Sequence, residues 1–278
     1  MKTLILGATG LLGQALTHEW AGDEVVGLGL EDVDIRNAEK VREIVEKTRP
    51  DWIVLAAAYT DVDGCESSQE LAFAVNRDAA VQVAQAAKDA GAKLLFLSSD
   101  YVFDGKKNSP YEIGDARNPQ SVYGRTKAEA EIQLLAAIPN CCIIRTAWLF
   151  GVGGKCFPDT ILKLAATRPA LDVVNDQRGC PTYSVDLSRA IVQLCRKGAN
   201  GIVHVTNAGD CSWFEFACEI VKSAGFPTEV RPVSTQQMVR PASRPAYSVM
   251  SAKSLQAYGI AMAPWQDALA RYLQERKG

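Results

Sequence analysis

The sequence predicts an α/β protein built on a doubly wound parallel sheet, with a smaller α/β unit interleaved behind it. Three observations carry that prediction. Short apolar runs alternate with longer segments of helical period through the first half of the chain. The runs are apolar on both faces, as strands sandwiched between two helical layers must be. After Gly151 the alternation loosens, yet no low-complexity linker separates the halves, so they are expected to pack closely. With 278 residues, 47% of them hydrophobic, the chain can bury a large core.

In chain order, "TLILG" is followed by a helical period over 11–20, "EVVGLG" by one over 38–48, "WIVLAAA" by one over 68–90 and "KLLFLSS" by one over 121–137; "CCIIRTAWLF" reads as a fifth strand. The second half offers a helix near 157–167, a strand "LDVV" at 171–174, a helix over 185–196, a strand "GIVHVTN", a helix over 213–224 and a Pro-rich stretch "RPVSTQQMVRPASRPAYS". We expect one domain over 1–150 and a second over 151–278, with roughly 171–206 returning to the first.

A formal net charge of −2 and a pI near 5.8, with no basic run longer than two residues, argue against nucleic acid or a membrane surface as partner. The amino-terminal apolar run is broken by glycines and followed by no cleavage signature, and no apolar span reaches 18 residues, which predicts a cytoplasmic protein. Eight scattered cysteines without a C-x-x-C are expected to be reduced and mostly buried. His18 and His204 stand apart from each other and read as surface or structural groups.

"TLILGATGLLGQAL" places Gly7, Gly10 and Gly13 between a strand and a helix. In that context Gly7 allows a tight turn, Gly10 lets backbone N–H groups approach a diphosphate, and Gly13 lets helix and strand pack closely. This predicts dinucleotide binding over 1–150. After the second strand, Glu31, Asp32 and Asp34 occupy the place of an acid that binds an adenosine ribose, which favours NADH, while the nearby Arg36 leaves NADPH open.

Tyr123 and Lys127 lie four apart near the start of a predicted helix and share one face. An ammonium beside a phenol favours the phenolate, which predicts a tyrosine acid/base tuned by the lysine. Ser98 and Ser99 end the fourth strand, where hydroxyls of a parallel sheet face the ligand crevice. Ser99 could then orient a carbonyl that Tyr123 protonates as a nicotinamide delivers hydride.

These residues, with "AAAYTDVDGCE", "AVNRDAA", "SSDYVFDG", "YGRTK", "IRTAWLFG", "DQRGCPTY" and "RPAYSVMS", resemble the extended short-chain dehydrogenases/reductases and, within them, the dTDP-4-dehydrorhamnose reductases; the likeness covers nearly the whole chain. It implies a Rossmann-type fold and a catalytic set of Ser99, Tyr123 and Lys127. It places the cofactor, NADPH or NADH, against Gly7, Gly10, Leu11, Leu12, Gly13, Asp34, Ile35, Ala56, Ala57, Tyr59, Asn76, Tyr123 and Lys127. It places a nucleotide-sugar substrate against Val62, Ser99, Tyr101, Tyr123 and Trp148. Of the arginines that could meet its diphosphate, Arg178, Arg240 and Arg244, we select Arg244.

Two departures from the family pattern stand out. Serine replaces a frequent threonine at 99, which keeps the hydroxyl. Gln14 and Ala15 stand where some relatives carry a carboxylate for a magnesium-bridged dimer. The expectation is therefore no metal, and a monomer or a homodimer without a metal bridge. The implied reaction is reduction of the C4 ketone of dTDP-4-dehydro-L-rhamnose to dTDP-L-rhamnose. The alternatives are another nucleotide-sugar reductase or epimerase on this fold, and a non-catalytic dinucleotide-binding regulator resembling the regulatory subunit of methionine adenosyltransferase.

Overall fold

The structure is a computed structural model and describes residues 1–20 and 22–276. Its centre is a six-stranded parallel sheet formed by β1 (Lys2–Leu6), β2 (Glu24–Leu28), β3 (Trp52–Leu55), β4 (Lys93–Ser99), β5 (Cys142–Thr146) and β10 (Gly201–His204). The order across the sheet is β10-β5-β4-β3-β1-β2, so the winding reverses between β1 and β3.

Alternate residues of each strand serve opposite layers. Leu4, Leu6, Ile53, Leu55, Leu94 and Phe96 pack against Val41 of α2 (Ala38–Thr48), Val83 of α5 (Ala79–Asp89) and Leu134 of α6 (Val122–Ala137). Ile5, Val54, Leu95 and Leu97 meet Leu12 and Leu16 of α1 (Leu11–Glu19), and Leu187 and Ile191 of α8 (Ser184–Arg196). Each residue type was apolar in the sequence; the sheet decides which layer receives it.

The helix expected over 68–90 is divided. Two short helices, α3 (Val62–Ser67) and α4 (Gln69–Phe73), precede a π-helical turn at Ala74–Asp78, and α5 completes the run. The extra residue of the π turn places Asn76 inside, 1% exposed. The run 141–150 is also interrupted, into β5 and β6 (Leu149–Phe150), because Trp148 adopts φ +48°.

A second layer system is formed by α7 (Phe157–Ala165), β7 (Ala170–Val174), α9 (Trp213–Ala224), β12 (Glu229–Val233) and α11 (Trp265–Glu275). Its core is aromatic: Phe150 packs on Tyr183, Phe216 and Tyr272 at centroid distances of 5.5–5.6 Å. Ser212 and Glu215 form a capping box that starts α9. Short pairs join β8 (Arg178–Gly179) to β11 (Cys211–Ser212) and β9 (Thr182–Tyr183) to β6. A four-residue helix, α10 (Lys253–Gln256), packs by β10.

The expected return of 171–206 to the first unit needs correcting. Strand β7 pairs in parallel with β12 and stays in the small sheet; only α8, which packs on α1, and β10, which pairs with β5, join the large one.

Candidate active site

The cleft lies at the carboxyl ends of β1, β3, β4 and β5, beside the point where the winding reverses, and encloses about 720 Å³. That is where a doubly wound sheet leaves a crevice between diverging connections.

One end is a backbone cradle. Gly7 has φ +97°, and a Cβ there would stand 2.5 Å from the Ala57 nitrogen; a Cβ on Gly13 would stand 2.1 Å from the Gly7 carbonyl oxygen. Only glycine fits at either place. Gly10 is the N-cap of α1, and no side chain caps that helix, so its first-turn N–H groups are left for an anion. Gln14 holds the loop to the second half of the chain by donating to the carbonyls of Thr9 at 2.8 Å and Gly153 at 3.0 Å. Lys155, from the same "GVGGK" segment, lines the cleft and is exposed. Further along the wall, Arg36 forks onto Asp34 with contacts of 2.5–3.0 Å and holds that carboxyl below its usual range. Asp32 accepts from the Gly29 N–H at 2.8 Å and so shapes the turn.

At the other end, β4 delivers Ser99 and α6 delivers Tyr123 and Lys127. Helix α6 begins with Ser121 capping the Gly124 N–H, and the Glu66 carboxylate accepts from the Val122 N–H at 2.8 Å. Lys127 is buried, donates to the Leu97 carbonyl at 2.9 Å and lies over the Phe96 ring. Burial pulls its ammonium down to about 8, against the opposing charge of Glu131. Behind it the wholly buried Glu131 receives Arg145, Arg117 and Ser98 at 2.5–2.9 Å. Burial works against this carboxylate, but Arg145 and the other donors hold it charged.

Tyr123 stands edge-on to Tyr101, with centroids 5.6 Å apart. Burial, followed by the negative charge of Asp100, raises its phenol pKa, and the neighbouring Ser99 offsets part of the rise. This corrects the expectation that Lys127 would set the phenol low: desolvation of the ring outweighs the lysine here. Trp148 closes the wall. Its indole stacks on Trp213 at 3.5 Å and 7°, and a Cβ on Gly179 would strike it at 2.6 Å, so packing holds its unusual backbone in place.

Gly7, Gly10, Leu11, Leu12, Gly13, Asp34, Ile35, Ala56, Ala57, Tyr59, Val62, Ser99, Tyr101, Tyr123, Lys127 and Trp148 all line this one cleft. Asn76 and Arg244 do not. Asn76 spends its amide on the Tyr59 backbone, accepting at 2.8 Å and donating at 3.0 Å, and on Thr126 at 3.1 Å, so it braces the wall from behind. Arg244 is forked onto Asp63 at 2.5 and 2.8 Å, which occupies the donors expected to meet a diphosphate. Lys155, Thr146 and Asp100 line the cleft without having been singled out. For Lys155 the only local signal was a glycine pair before a lysine; nothing in the sequence said that this segment faces Gln14. Among the described residues no group of three or more His, Cys, Asp or Glu side chains is gathered as for a metal ion, and no helix is long and apolar enough to cross a membrane.

The family described as "RmlD substrate binding domain" matches residues 1–277. The chain belongs to the dTDP-4-dehydrorhamnose reductase family. Family members with known structures include a dTDP-4-dehydrorhamnose reductase from Clostridium acetobutylicum, 37% identical with a TM-score of 0.97 over all of both chains. Another is the dTDP-4-dehydrorhamnose reductase of Bacillus anthracis in complex with NADP, 36% identical with a TM-score of 0.96 over 99% of each chain. The spore coat polysaccharide biosynthesis protein SpsK of Bacillus subtilis is 39% identical over 277 residues, covering 99% of this chain and 98% of its own. In this family member the catalytic set assigned from the sequence, Ser99, Tyr123 and Lys127, borders a single cleft with the glycine cradle.

Proposed function

We propose that the protein reduces the C4 ketone of dTDP-4-dehydro-L-rhamnose to the alcohol of dTDP-L-rhamnose, with NADPH or NADH as reductant. The observation that carries this reading is that Ser99, Tyr123 and Lys127 line the same cleft as a cradle only glycines can form. Its support from kinship is the pair of similar structures of dTDP-4-dehydrorhamnose reductases, one of them with NADP.

The cradle fits a dinucleotide: the α1 N-terminus and Lys155 would hold the diphosphate, and Asp34 with Arg36 would hold the adenosine ribose, the arginine accommodating a 2′-phosphate. A bound reduced nicotinamide supplies hydride. Tyr123 keeps its proton across the neutral range, because burial raises its pKa, and gives it to the carbonyl oxygen as negative charge develops there. The ketone thus gains one hydride and one proton. Ser99 hydrogen-bonds the same oxygen, and the charged Lys127 stabilises the phenolate left on Tyr123. Val62, Tyr101 and Trp148 would enclose the hexose. The cleft is assembled from one chain, so the reading holds for a monomer or a homodimer. It also assigns the protein to the cytoplasm, where its eight cysteines would stay reduced.

The test is consumption of NADH and NADPH, in parallel, with enzymatically prepared dTDP-4-dehydrorhamnose. Tyr123→Phe should lower kcat by about 10²–10⁴-fold while cofactor binding, read by calorimetry, is retained. Absence of turnover by the wild type, or equal rates for the variant, would sink the reading. The rate should also decline as pH rises past about 8, where Lys127 loses its charge.

A further inference from the structure

The cleft contains a carboxyl group that the proposed reaction does not employ. Asp100 directly follows Ser99, is 1% exposed and forms part of the cleft wall. Ser99 Oγ donates to its Oδ1 at 2.8 Å, while its Oδ2 is buried without a hydrogen-bond partner. Among the described residues no cation pairs with it; its own backbone and that of Tyr101 give it some support. The titratable groups that face it are Tyr123 from α6, Tyr101 from its own turn, and Cys180 from the connection between β8 and β9. The Ser248 hydroxyl faces it from the C-terminal segment without completing a bond to Oδ2. Arg244 lies beyond Tyr101 and is tied to Asp63.

A serine hydroxyl has one hydrogen to give. An ionised carboxylate can only accept, so it claims that hydrogen and turns it away from the cleft; a neutral carboxyl has its own hydrogen, and the bond to Ser99 can run the other way. We propose that Asp100 is a positioning residue that, when neutral, frees the Ser99 hydroxyl to face the substrate's carbonyl oxygen and, when ionised, withdraws it. The proposal rests on the reductase reading above. Burial supports it by pushing the carboxyl up to about 6, against the smaller pull of Ser248 and Ser99.

The test compares kcat against pH, at saturating substrates, for the wild type, Asp100→Asn and Ser99→Ala. The wild type should show a limb centred near pH 6 or above, across which kcat falls with rising pH on the order of 100-fold, the usual effect of losing one oxyanion donor. In Asp100→Asn the amide donates to Ser99 at every pH, so this limb should vanish. In Ser99→Ala it should vanish as well, because Asp100 then has nothing to turn. Persistence of the limb near pH 6 in either variant, as distinct from the decline above about pH 8 that belongs to Lys127, or a wild-type kcat flat between pH 5 and 8, would overturn the proposal. Infrared difference spectra of the same proteins need no turnover and separate this idea from the substrate assignment. A protonated-carboxyl band should titrate in the wild type and move in Ser99→Ala, and should be missing from Asp100→Asn if that variant folds. If the band behaves so while dTDP-4-dehydrorhamnose is not reduced, the substrate assignment has failed and the role of Asp100 stands. A wild type with no such band at pH 5 would refute that role.

Discussion

Lys127 is a charge held where a charge is unfavourable. Its pKa, lowered from 10.5 to about 8, means that below pH 8 both folded and unfolded chains carry the proton and the folded state bears the whole desolvation penalty. The penalty relaxes as pH rises from 8 towards 10.5, so this group's contribution to stability improves over that window. The shift corresponds to roughly 3 kcal/mol, part of it offset by the bond to the Leu97 carbonyl. Lys127→Met should therefore unfold at higher urea concentration than the wild type at pH 7, by about 2 kcal/mol, with the advantage shrinking by pH 10. Its turnover should fall at least about 100-fold. A variant that is both inactive and less stable at pH 7 would show that the ammonium is a net structural support. The spacing of Tyr123 and Lys127 was plain in the sequence because four residues along a helix is a purely local relation. The direction of the tyrosine's pKa was not, since it depends on burial and on Asp100, and both come from the tertiary structure.

Helix α6 shows how far local pattern reaches. "SVYGRTKAEAE" has the look of an amphipathic helix, and its extent is close to that expected. Its buried face, however, carries Thr126, Lys127 and Glu131 among small apolar residues. Burying Glu131 is tolerable because three donors reach it, two of them arginines from elsewhere in the chain, Arg117 and Arg145. No pattern within the helix announces those partners. Removing one side of such a pair strands the other, so Glu131→Ala should cost about 3–5 kcal/mol in urea unfolding. The double variant Glu131→Leu with Arg145→Met should recover part of that loss, because the fully buried Arg145 charge is then not left unpaired, while Arg117 is partly exposed and keeps access to water. Recovery of none of it would mean that packing around α6, and not the pair, sets the cost. The break at Trp148 has the same lesson. "CCIIRTAWLF" carries no glycine or proline to interrupt a strand, and the interruption is enforced by Trp213 and Gly179, residues far away in sequence.

On the scale of the whole molecule, the doubly wound sheet was legible because apolar strands and helical periods alternate within short windows. The membership of the second-half strands was not. "LDVV" has the composition of any buried strand, and its partner β12 lies beyond two more helices and another strand of the large sheet. What joins the halves beside Val62 and Tyr101, where the proposed function seats the hexose, is also long-range. Asp63, beside Val62 of the cleft wall, accepts from both terminal nitrogens of Arg244 and from the Ala242 N–H, with Arg240 at 3.6 Å. The chain then runs on to bridge Arg178 through Tyr247 and Tyr111 through Met250. The bond from Arg244 pulls the Asp63 pKa down to about 2 against the opposing effect of burial, with smaller help from the Ala242 N–H and the charge of Arg240. A folded-state pKa below the unfolded 3.8 gives stability that is present above about pH 4 and lost as pH falls towards 2. Both side chains are partly exposed, so solvent screening reduces the value to about 1 kcal/mol. Asp63→Asn should thus be only slightly less stable at pH 7, and its deficit should disappear near pH 2. Its larger effect should be on substrate: loosening of residues 240–250 raises KM for the nucleotide sugar about tenfold, the weight of one lost charged contact, while NADPH affinity at the distant glycine cradle is unchanged. An equal loss of affinity for both ligands would show that the Asp63–Arg244 contact supports the entire cleft and not its sugar end alone.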